Sequence, residues 1–217
     1  MFKLKNLFRK KTLKDAADYL DQEKPEKAIA VLEKNLDNPT ACTMLAHLYE
    51  HGIGTDRSIK SAMRLYLRAA KLGSAEAKFI LAGFCSNGVY IKQSPEKAFA
   101  FYREAADAGM AEAQYKVGLH YLFGHMGDKD IGKAFDYFYR GAHQEHPPSQ
   151  NRLALLFAGG RGTPKSDEDA VYWYRKAAEN GHGEAMYNLG HMLTVGRGCK
   201  RNNKEALKWF KLASDTL

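Results

Sequence analysis

Side chains of four kinds return every 36 residues along this chain, in five successive copies without an insertion. One column is aliphatic (Leu45, Leu81, Val117, Leu153 and Leu189), and a second is glycine (Gly52, Gly88, Gly124, Gly160 and Gly196). The third is alanine (Ala62, Ala98, Ala134, Ala170 and Ala206), and the fourth is aromatic (Tyr66, Tyr102, Phe138, Tyr174 and Phe210). A period of this length indicates consecutive copies of one supersecondary unit.

The first half of each unit has the spacing of an amphipathic helix. In the first copy, Ala41, Leu45 and Tyr49 are four residues apart, so they share one face of a helix and not one face of a strand. Gly52 follows, and glycine enters the left-handed conformation that ends many helices at little cost. We therefore predict that the first helix of each hairpin ends at the glycine column.

The second half of each unit begins with a side-chain oxygen that can accept hydrogen bonds from the amides of a first helical turn. The residues at this position are Ser58, Ser94, Asp130, Ser166 and Asn202. The helix that follows carries the alanine and aromatic columns, which lie one turn apart. A glycine recurs where this helix ends, except in the third copy, where Glu145 takes its place.

A single hairpin of this kind cannot bury both of its apolar faces, whereas a stack of hairpins can. The small alanine lets two helix axes approach, and the aromatic ring fills the gap between neighbouring hairpins. The repeat therefore predicts an all-α solenoid, an open superhelix in which each hairpin contacts its neighbours in sequence. Such a solenoid has a concave side and a convex side.

These residues resemble the Sel-one-like repeat family, a relative of the tetratricopeptide repeats. The resemblance rests on the pattern A-x-x-x-L-x-x-x-Y-x-x-G-x-G, followed by A-x-x-x-Y-x-x-A-A-x-x-G. It is clearest between Glu184 and Ala213, where AMYNLGHMLTVGRG precedes KEALKWFKLA, and it covers residues 40–217. The resemblance implies a right-handed α/α superhelical solenoid that acts as an adaptor or scaffold in protein complexes, commonly in bacteria, without a shared catalytic site.

The period divides the repeat region into hairpins at about 40–75, 76–111, 112–147, 148–183 and 184–217. Residues 12–39 look like a degenerate hairpin without the glycine loop, and we predict that they form the N-terminal cap that terminal repeats need for solubility. Residues 1–11 are predicted to be a basic tail. The face of the last hairpin around Trp209 is predicted to be either exposed or covered by a partner, for which a second copy of the chain is one candidate.

The composition limits where such a chain works and what it binds. No run of about 18 apolar residues is present, and no apolar signal segment follows the basic start. Cys42, Cys85 and Cys199 form no C-x-x-C pair, which favours reduced, packed thiols in the cytoplasm. Of the net charge of +8, six positive charges lie in residues 1–14, so the repeats are nearly neutral and a nucleic-acid groove is not indicated.

Three short motifs have the form of chemical sites. His47, Glu50 and His51 match H-x-x-E-H, in which two histidines one turn apart bind zinc beside a glutamate base. The segment occupies ordinary repeat positions and offers no identifiable acidic ligand, so a zinc hydrolase is only a remote alternative. The Gly-x-Gly turns lack the Lys-Ser or Lys-Thr of a phosphate loop, and we expect His143 and His146 at a solvated helix end. We predict no catalytic residue, metal or cofactor, and therefore no enzyme.

The resemblance also implies a binding surface. In tetratricopeptide solenoids the first helix of each hairpin lines the concave side, chiefly through residues two before and two after the conserved leucine. The matching positions here are Thr43, Phe79, Tyr115, Asn151 and Tyr187, then His47, Gly83, Leu119, Leu155 and His191. Such aromatic, amide and imidazole groups suit an extended or helical peptide, with the rings as anchors. The alternative is that the rings only stabilise the groove.

The first eleven residues have the composition of a membrane-surface helix. Leu4, Leu7 and Phe8 would share one helix face, with Lys3, Lys5, Arg9 and Lys10 around it. A basic amphipathic helix suits an anionic membrane surface. A disordered tail, or an extension of the cap, is the alternative.

The sequence therefore predicts a cytoplasmic adaptor whose concave groove holds a partner protein or peptide segment. The second hypothesis is a peripheral scaffold held at the inner face of the membrane by its N-terminal segment. A homodimer through the C-terminal hairpin is compatible with both hypotheses, and no nucleic-acid partner is expected.

Overall fold

The computed structural model describes residues 13–125 and 128–216, and these ranges contain helices and short turns but no β-strand. Residues 13–21 form helix α1. The helices that follow are α2 (Pro25–Glu33), α3 (Pro39–His51), α4 (Ile59–Lys71), α5 (Ala75–Asn87), α6 (Pro95–Asp107), α7 (Ala111–Phe123), α8 (Ile131–Ala142), α9 (Pro147–Gly159), α10 (Asp167–Glu179), α11 (Gly183–Val195) and α12 (Asn203–Thr216). The predicted all-α repeat fold is confirmed.

The chain forms two compact units, the first ending at Ala105 and the second beginning at Ala106. In the first unit α2 packs on α3, α3 on α4 and α4 on α5. In the second unit α7 through α12 pack in the same way, each helix on the next. The hairpins α3–α4, α7–α8, α9–α10 and α11–α12 are thus pairs of packed helices that are consecutive in the chain.

The glycine column ends the first helix of every hairpin, as predicted. Its five members have left-handed backbone conformations, with φ between 61° and 70°. The amide of Gly52, for example, donates to the carbonyl oxygen of Leu48 and so closes the last turn of α3. The chain then turns into the second helix of the hairpin.

The predicted N-caps of the second helices are also confirmed. In each hairpin the side-chain oxygen accepts a hydrogen bond from the backbone amide three residues later, at 2.9–3.3 Å. The capping residues are Ser58, Ser94, Asp130, Ser166 and Asn202. These bonds satisfy one of the free amides of each first turn and fix where each helix starts.

The conserved columns form the core. Every residue of the alanine and aliphatic columns is at most 4% exposed. In the second unit Ala170, Tyr174 and Leu189 belong to one cluster, which Trp209 covers from one side. Cys42 and Cys85 are buried free thiols in the first unit, and burial raises the pKa of both, so their predicted packing role is confirmed.

The prediction of a solvated helix end is wrong for His146. Its Nδ1 atom accepts from the backbone amide of Ser149 at 3.3 Å, and its Nε2 atom lies 2.8 Å from Oε2 of Glu112. His146 is therefore the N-cap of α9, and His182 caps α11 in the same way. Histidine is not among the preferred N-cap residues, so the usual signal did not reveal these positions. His143 is exposed, as expected.

No helix in the part of the chain that the structure describes is both long enough and apolar enough to cross a membrane.

Candidate functional site

The predicted binding residues lie on the first helices of the hairpins, and both units contribute a set. In the first unit, Thr43 and His47 lie on α3, and Phe79 and Gly83 lie on α5. In the second unit, the residues on α7, α9 and α11 are Tyr115, Leu119, Asn151, Leu155, Tyr187 and His191. The two sets are described separately.

In the first unit, Thr43 and His47 border a small cavity of about 170 Å³ together with Leu20 and Glu76. Thr43 is only 4% exposed, and its hydroxyl donates to the carbonyl oxygen of Pro39 at 3.0 Å. The cavity is smaller than the roughly 300–1,000 Å³ that is usual for ligand sites. Thr43 therefore supports this surface from beneath, and His47 is its exposed residue.

Two of the predicted aromatic anchors mainly pack against the second helix of their own hairpin. The ring of Phe79 meets Tyr102 edge to face at 5.3 Å between centroids. The ring of Tyr115 lies 5.9 Å from that of Phe138 and 5.6 Å from that of His146. Both predicted anchors are half-buried. These contacts favour the role of stabilising the groove for Phe79 and Tyr115.

The third predicted anchor, Tyr187, makes the equivalent contact, with its ring centroid 5.6 Å from that of Phe210 on α12, but it is far more exposed. Tyr187 on α11 is 58% exposed and lines an open cleft of about 540 Å³. Leu155 and His191, two further predicted residues, line the same cleft. Met192 and Asn188 complete the α11 side. The structure thus brings three of the predicted residues together around one accessible space of ligand size.

Asn151, predicted to line the groove, is only 1% exposed. Its Oδ1 atom accepts from Nδ2 of Asn188 at 3.4 Å. Asn188 lies next to Tyr187 in sequence and lines the cleft, so the accessible amide on this surface belongs to Asn188. Leu119 on α7 is half-buried. Sequence reasoning missed Asn188 because the implied pattern named only the residues two before and two after the leucine.

One wall of the cleft is fixed by an ion pair. Nη2 of Arg197 lies 2.6 Å from Oδ1 of Asp167 and donates to the carbonyl oxygen of Ala158 at 2.8 Å. The hydrogen bond from Arg197 lowers the pKa of Asp167, and the same bond raises the pKa of Arg197, so both groups stay charged over the physiological range. Burial raises the pKa of Tyr174 to about 12, so its phenol stays neutral. The charges of Asp167 and Arg197 thus compensate each other, and the Tyr174 phenol that lines the cleft is neutral.

The H-x-x-E-H motif is occupied by internal contacts. Oε2 of Glu50 accepts from the hydroxyl of Tyr66 at 2.8 Å, and Nδ1 of His51 lies 3.0 Å from the carbonyl oxygen of His47. Among residues 13–125 and 128–216, no three His, Cys, Asp or Glu side chains are grouped so that they could hold a metal ion. These contacts favour a structural role for the motif.

Two further predictions concern the ends of the chain. The proposed membrane contacts, Leu4, Leu7, Phe8, Lys3, Lys5, Arg9 and Lys10, lie outside the described residues, and membrane binding stays a prediction. In the last hairpin, the half-buried Trp209 donates from Nε1 to Oε1 of Glu205 at 3.3 Å, while Leu207 is 68% exposed. Pairing of two copies through this hairpin also stays a prediction.

Helical hairpins with one recurring set of caps and core residues define an α-helical repeat protein. The Sel1 repeat family matches residues 39–74, 75–110, 111–146, 147–182 and 183–215, so the chain belongs to this family. The matched repeats begin one residue before the boundaries predicted from the period.

Solved structures agree with this assignment. A Sel1 repeat protein from Oxalobacter formigenes superposes with a TM-score of 0.86 at 27% identity, covering 94% of this chain and 85% of that one. A protective antigen of uropathogenic Escherichia coli strains, described as displaying an SLR fold, has a TM-score of 0.79 at 26% identity and covers 87% of this chain and 41% of its own. A comparison with curated proteins gave no significant match.

Proposed function

We propose that this chain is a scaffold that holds a segment of a partner protein in the cleft bordered by α9 and α11. Sel1 repeat proteins generally act as scaffolds for protein interactions, which supports this class of function. The observation that supports this particular surface is the meeting of Leu155, Tyr187 and His191 around one open cleft of about 540 Å³.

The chemistry of the cleft fits a peptide with an apolar anchor. The half-buried Leu155 offers an apolar surface, and the exposed ring of Tyr187 loses little conformational entropy when a partner covers it. Asn188 and His191 supply donors and acceptors that can pair with the polar backbone of an extended segment. Large aromatic side chains at the centre of an interface often carry most of the binding energy.

We therefore expect Tyr187→Ala to weaken partner binding at least about tenfold, in the range of a binding hot spot. The matched control is Leu207→Ala, which removes a comparably exposed apolar side chain on α12, outside the cleft. Proteins captured from the native cell by wild type and by both variants are compared by quantitative mass spectrometry. Binding of each candidate partner is then measured by calorimetry with purified proteins.

A partner that is lost with Tyr187→Ala and retained with Leu207→Ala would support the cleft as its binding site. Equal affinity of all three proteins for every captured partner would contradict it. Circular dichroism of the variants verifies that the helices are intact, so that a loss of binding is not a loss of fold.

A further inference from the structure

A second cavity, of about 500 Å³, lies in the second unit and is bordered by α8, α9 and α10. The repeat pattern did not predict it. Its lining includes Tyr139, Phe157, Tyr172 and Trp173, of which the two tyrosines are 45% and 53% exposed. Three carboxylates and one ammonium group also line it, from Glu145, Asp169, Glu179 and Lys176. The cavity is therefore both aromatic and acidic.

A buried acceptor without a partner lines this cavity. Gln150 is 2% exposed, and its Nε2 atom donates to the carbonyl oxygen of Ala142 at 3.2 Å. Because a carbonyl oxygen only accepts, this bond fixes the orientation of the amide. Oε1 of Gln150 then has no hydrogen-bond partner among the described residues. Buried polar atoms are nearly always paired, so this oxygen points to a donor that comes from outside the unit.

The preceding repeat shows how the same position is filled from within the chain. Gln114 lies 36 residues before Gln150, and its Nε2 atom donates to the carbonyl oxygen of Ala106 at 3.1 Å. Its Oε1 atom accepts from Nε2 of Gln144 at 2.8 Å. Nη2 of Arg140 donates to the same Ala106 oxygen at 3.0 Å, and the guanidinium lies 5.2 Å from the centre of the Tyr137 ring. An internal arginine and an internal amide therefore complete this site.

One repeat later, both of these groups have been replaced. Lys176 stands where the preceding repeat has arginine, and Asn180 stands where it has glutamine, so the amide is one methylene shorter. Nζ of Lys176 lies over the ring of Tyr172, 6.0 Å from its centre. The aromatic platform is kept, because Trp173 occupies the position of Tyr137. Oε1 of Gln150 receives a hydrogen bond from neither side chain, and both side chains line an open cavity.

We propose that this cavity binds an arginine side chain presented by a partner protein. The planar guanidinium donates to Oε1 of Gln150, stacks on the indole of Trp173 and is attracted by the surrounding carboxylates. A lysine ammonium carries a single point charge without the planar fork, and it stacks less well. The proposal does not depend on the cleft around Tyr187, because the two sites share no lining residue.

The test uses nuclear magnetic resonance on the full ¹⁵N-labelled chain. The probe is Nα-acetyl-L-arginine methylamide, compared with the same derivatives of lysine and citrulline and with free L-arginine. We expect the arginine probe to shift the side-chain amide of Gln150 and the indole N–H of Trp173 in a saturable way. Citrulline has the same shape without the charge and is expected to cause at most a tenth of that shift at equal concentration.

A second experiment uses a variant in which side chains of the chain itself are expected to fill the cavity. The double variant Lys176→Arg with Asn180→Gln copies the preceding repeat, and we expect it to abolish the response while the helices stay intact. The matched control is Lys208→Arg, at an exposed position on α12, which should respond as wild type does. The converse variant, Arg140→Lys with Gln144→Asn, is expected to open a second arginine site next to Gln114.

Four results would overturn the proposal. The first is the absence of a saturable shift at Gln150 and Trp173. The second and third are responses to the lysine probe or to the citrulline probe that equal the response to the arginine probe. The fourth is a response of the Lys176→Arg, Asn180→Gln variant that equals that of wild type. A stronger response to free L-arginine than to the capped probe would overturn the assignment to a protein segment, because the cavity would then prefer the free amino acid.

Discussion

Single residues in left-handed backbone conformations decide how each hairpin exit is made. Gly73, Gly109 and Gly181 occupy the exit turns with φ of 84–97°, and Glu145 occupies the same place in the third repeat with φ of 57°. A side chain in this region costs about 1–2 kcal/mol, whereas glycine avoids this cost. We therefore expect Glu145→Gly to stabilise the protein by about 1 kcal/mol.

The reverse change provides the control for this prediction. A Cβ atom at Gly109 would have no atom within 4 Å outside its own neighbours, so Gly109→Ala tests the backbone conformation without a clash. We expect it to destabilise the protein by about 1 kcal/mol. Urea unfolding followed by circular dichroism measures both variants. If Glu145→Gly lowers the unfolding midpoint, the left-handed conformation is not the dominant cost at this turn.

The histidine cap of α11 makes part of the stability depend on pH. Burial lowers the pKa of His182, although nearby Glu184 acts in the opposite direction, and Arg152 and His146 add to the lowering. The Nδ1 atom must be unprotonated to accept from Ala185. The folded protein therefore binds fewer protons than the unfolded chain, whose histidine has a pKa near 6.5. This stabilisation is complete above that value and is lost as the pH falls below it.

Asparagine at this position offers a side-chain oxygen as the capping acceptor in place of the histidine nitrogen, and it does not titrate in this range. We expect His182→Asn to remove part of the loss of stability between about pH 7.5 and pH 5. The measurement is the urea midpoint at several pH values. The matched control is His191→Asn, which makes the same substitution at an exposed, non-capping position of the same helix. An identical pH dependence for wild type and His182→Asn would contradict a titrating cap.

Between elements, a glycine in the turn brings one hairpin against the preceding one. A Cβ atom at Gly162 would lie 2.7 Å from the carbonyl oxygen of Ile131, at the start of α8. Gly181 has a similarly positive φ, but a Cβ atom there would have no atom within 4 Å outside its neighbours. The two glycines therefore separate steric contact from backbone conformation.

We expect Gly162→Ala to destabilise the protein by about 2–4 kcal/mol, and Gly181→Ala by about 1 kcal/mol. Thermal unfolding by calorimetry compares the two variants under the same conditions. Equal costs would show that hairpin packing at Gly162 has room for a methyl group and that only the backbone conformation matters.

Features that depend on residues close together in sequence could be predicted, whereas features that depend on distances between side chains far apart in sequence could not. The turn at Gly52 and the cap at Ser166 depend on a few neighbouring residues, and both were predicted correctly. The open cavity depends on whether the side-chain amide of residue 180 reaches Gln150. Asn180 has a side chain one methylene shorter than glutamine, and this small difference in length decides the outcome. A 36-residue spacing aligns these positions but does not give their distance.

The predicted binding residues were limited in the same way. The spacing placed Thr43, Asn151 and Tyr187 at equivalent positions of their helices, yet their exposures are 4%, 1% and 58%. The differences arise from the neighbours of each side chain, such as Asn188 above Asn151. A periodic pattern therefore identifies the helix face, and the packing of individual side chains determines which residues are accessible.

At the scale of the whole molecule, contacts between consecutive helices determine how a defect spreads. Leu189 on α11 is fully buried in a cluster formed by α9 through α12. Leu189→Ala removes core contacts and leaves a cavity, which we expect to cost about 2–5 kcal/mol. In a protein built of repeats, such a loss raises local unfolding of the affected hairpin and its neighbours more than that of distant ones.

Hydrogen exchange followed by mass spectrometry can resolve this difference. In Leu189→Ala we expect faster exchange in α10, α11 and α12, with exchange in α3 and α4 close to that of wild type. The matched variant is Leu81→Ala, which empties the equivalent buried position on α5 and should give the opposite pattern. If either variant instead accelerated exchange uniformly along the chain, unfolding would be a single cooperative step, and the stability of one hairpin could not be adjusted separately from that of the others.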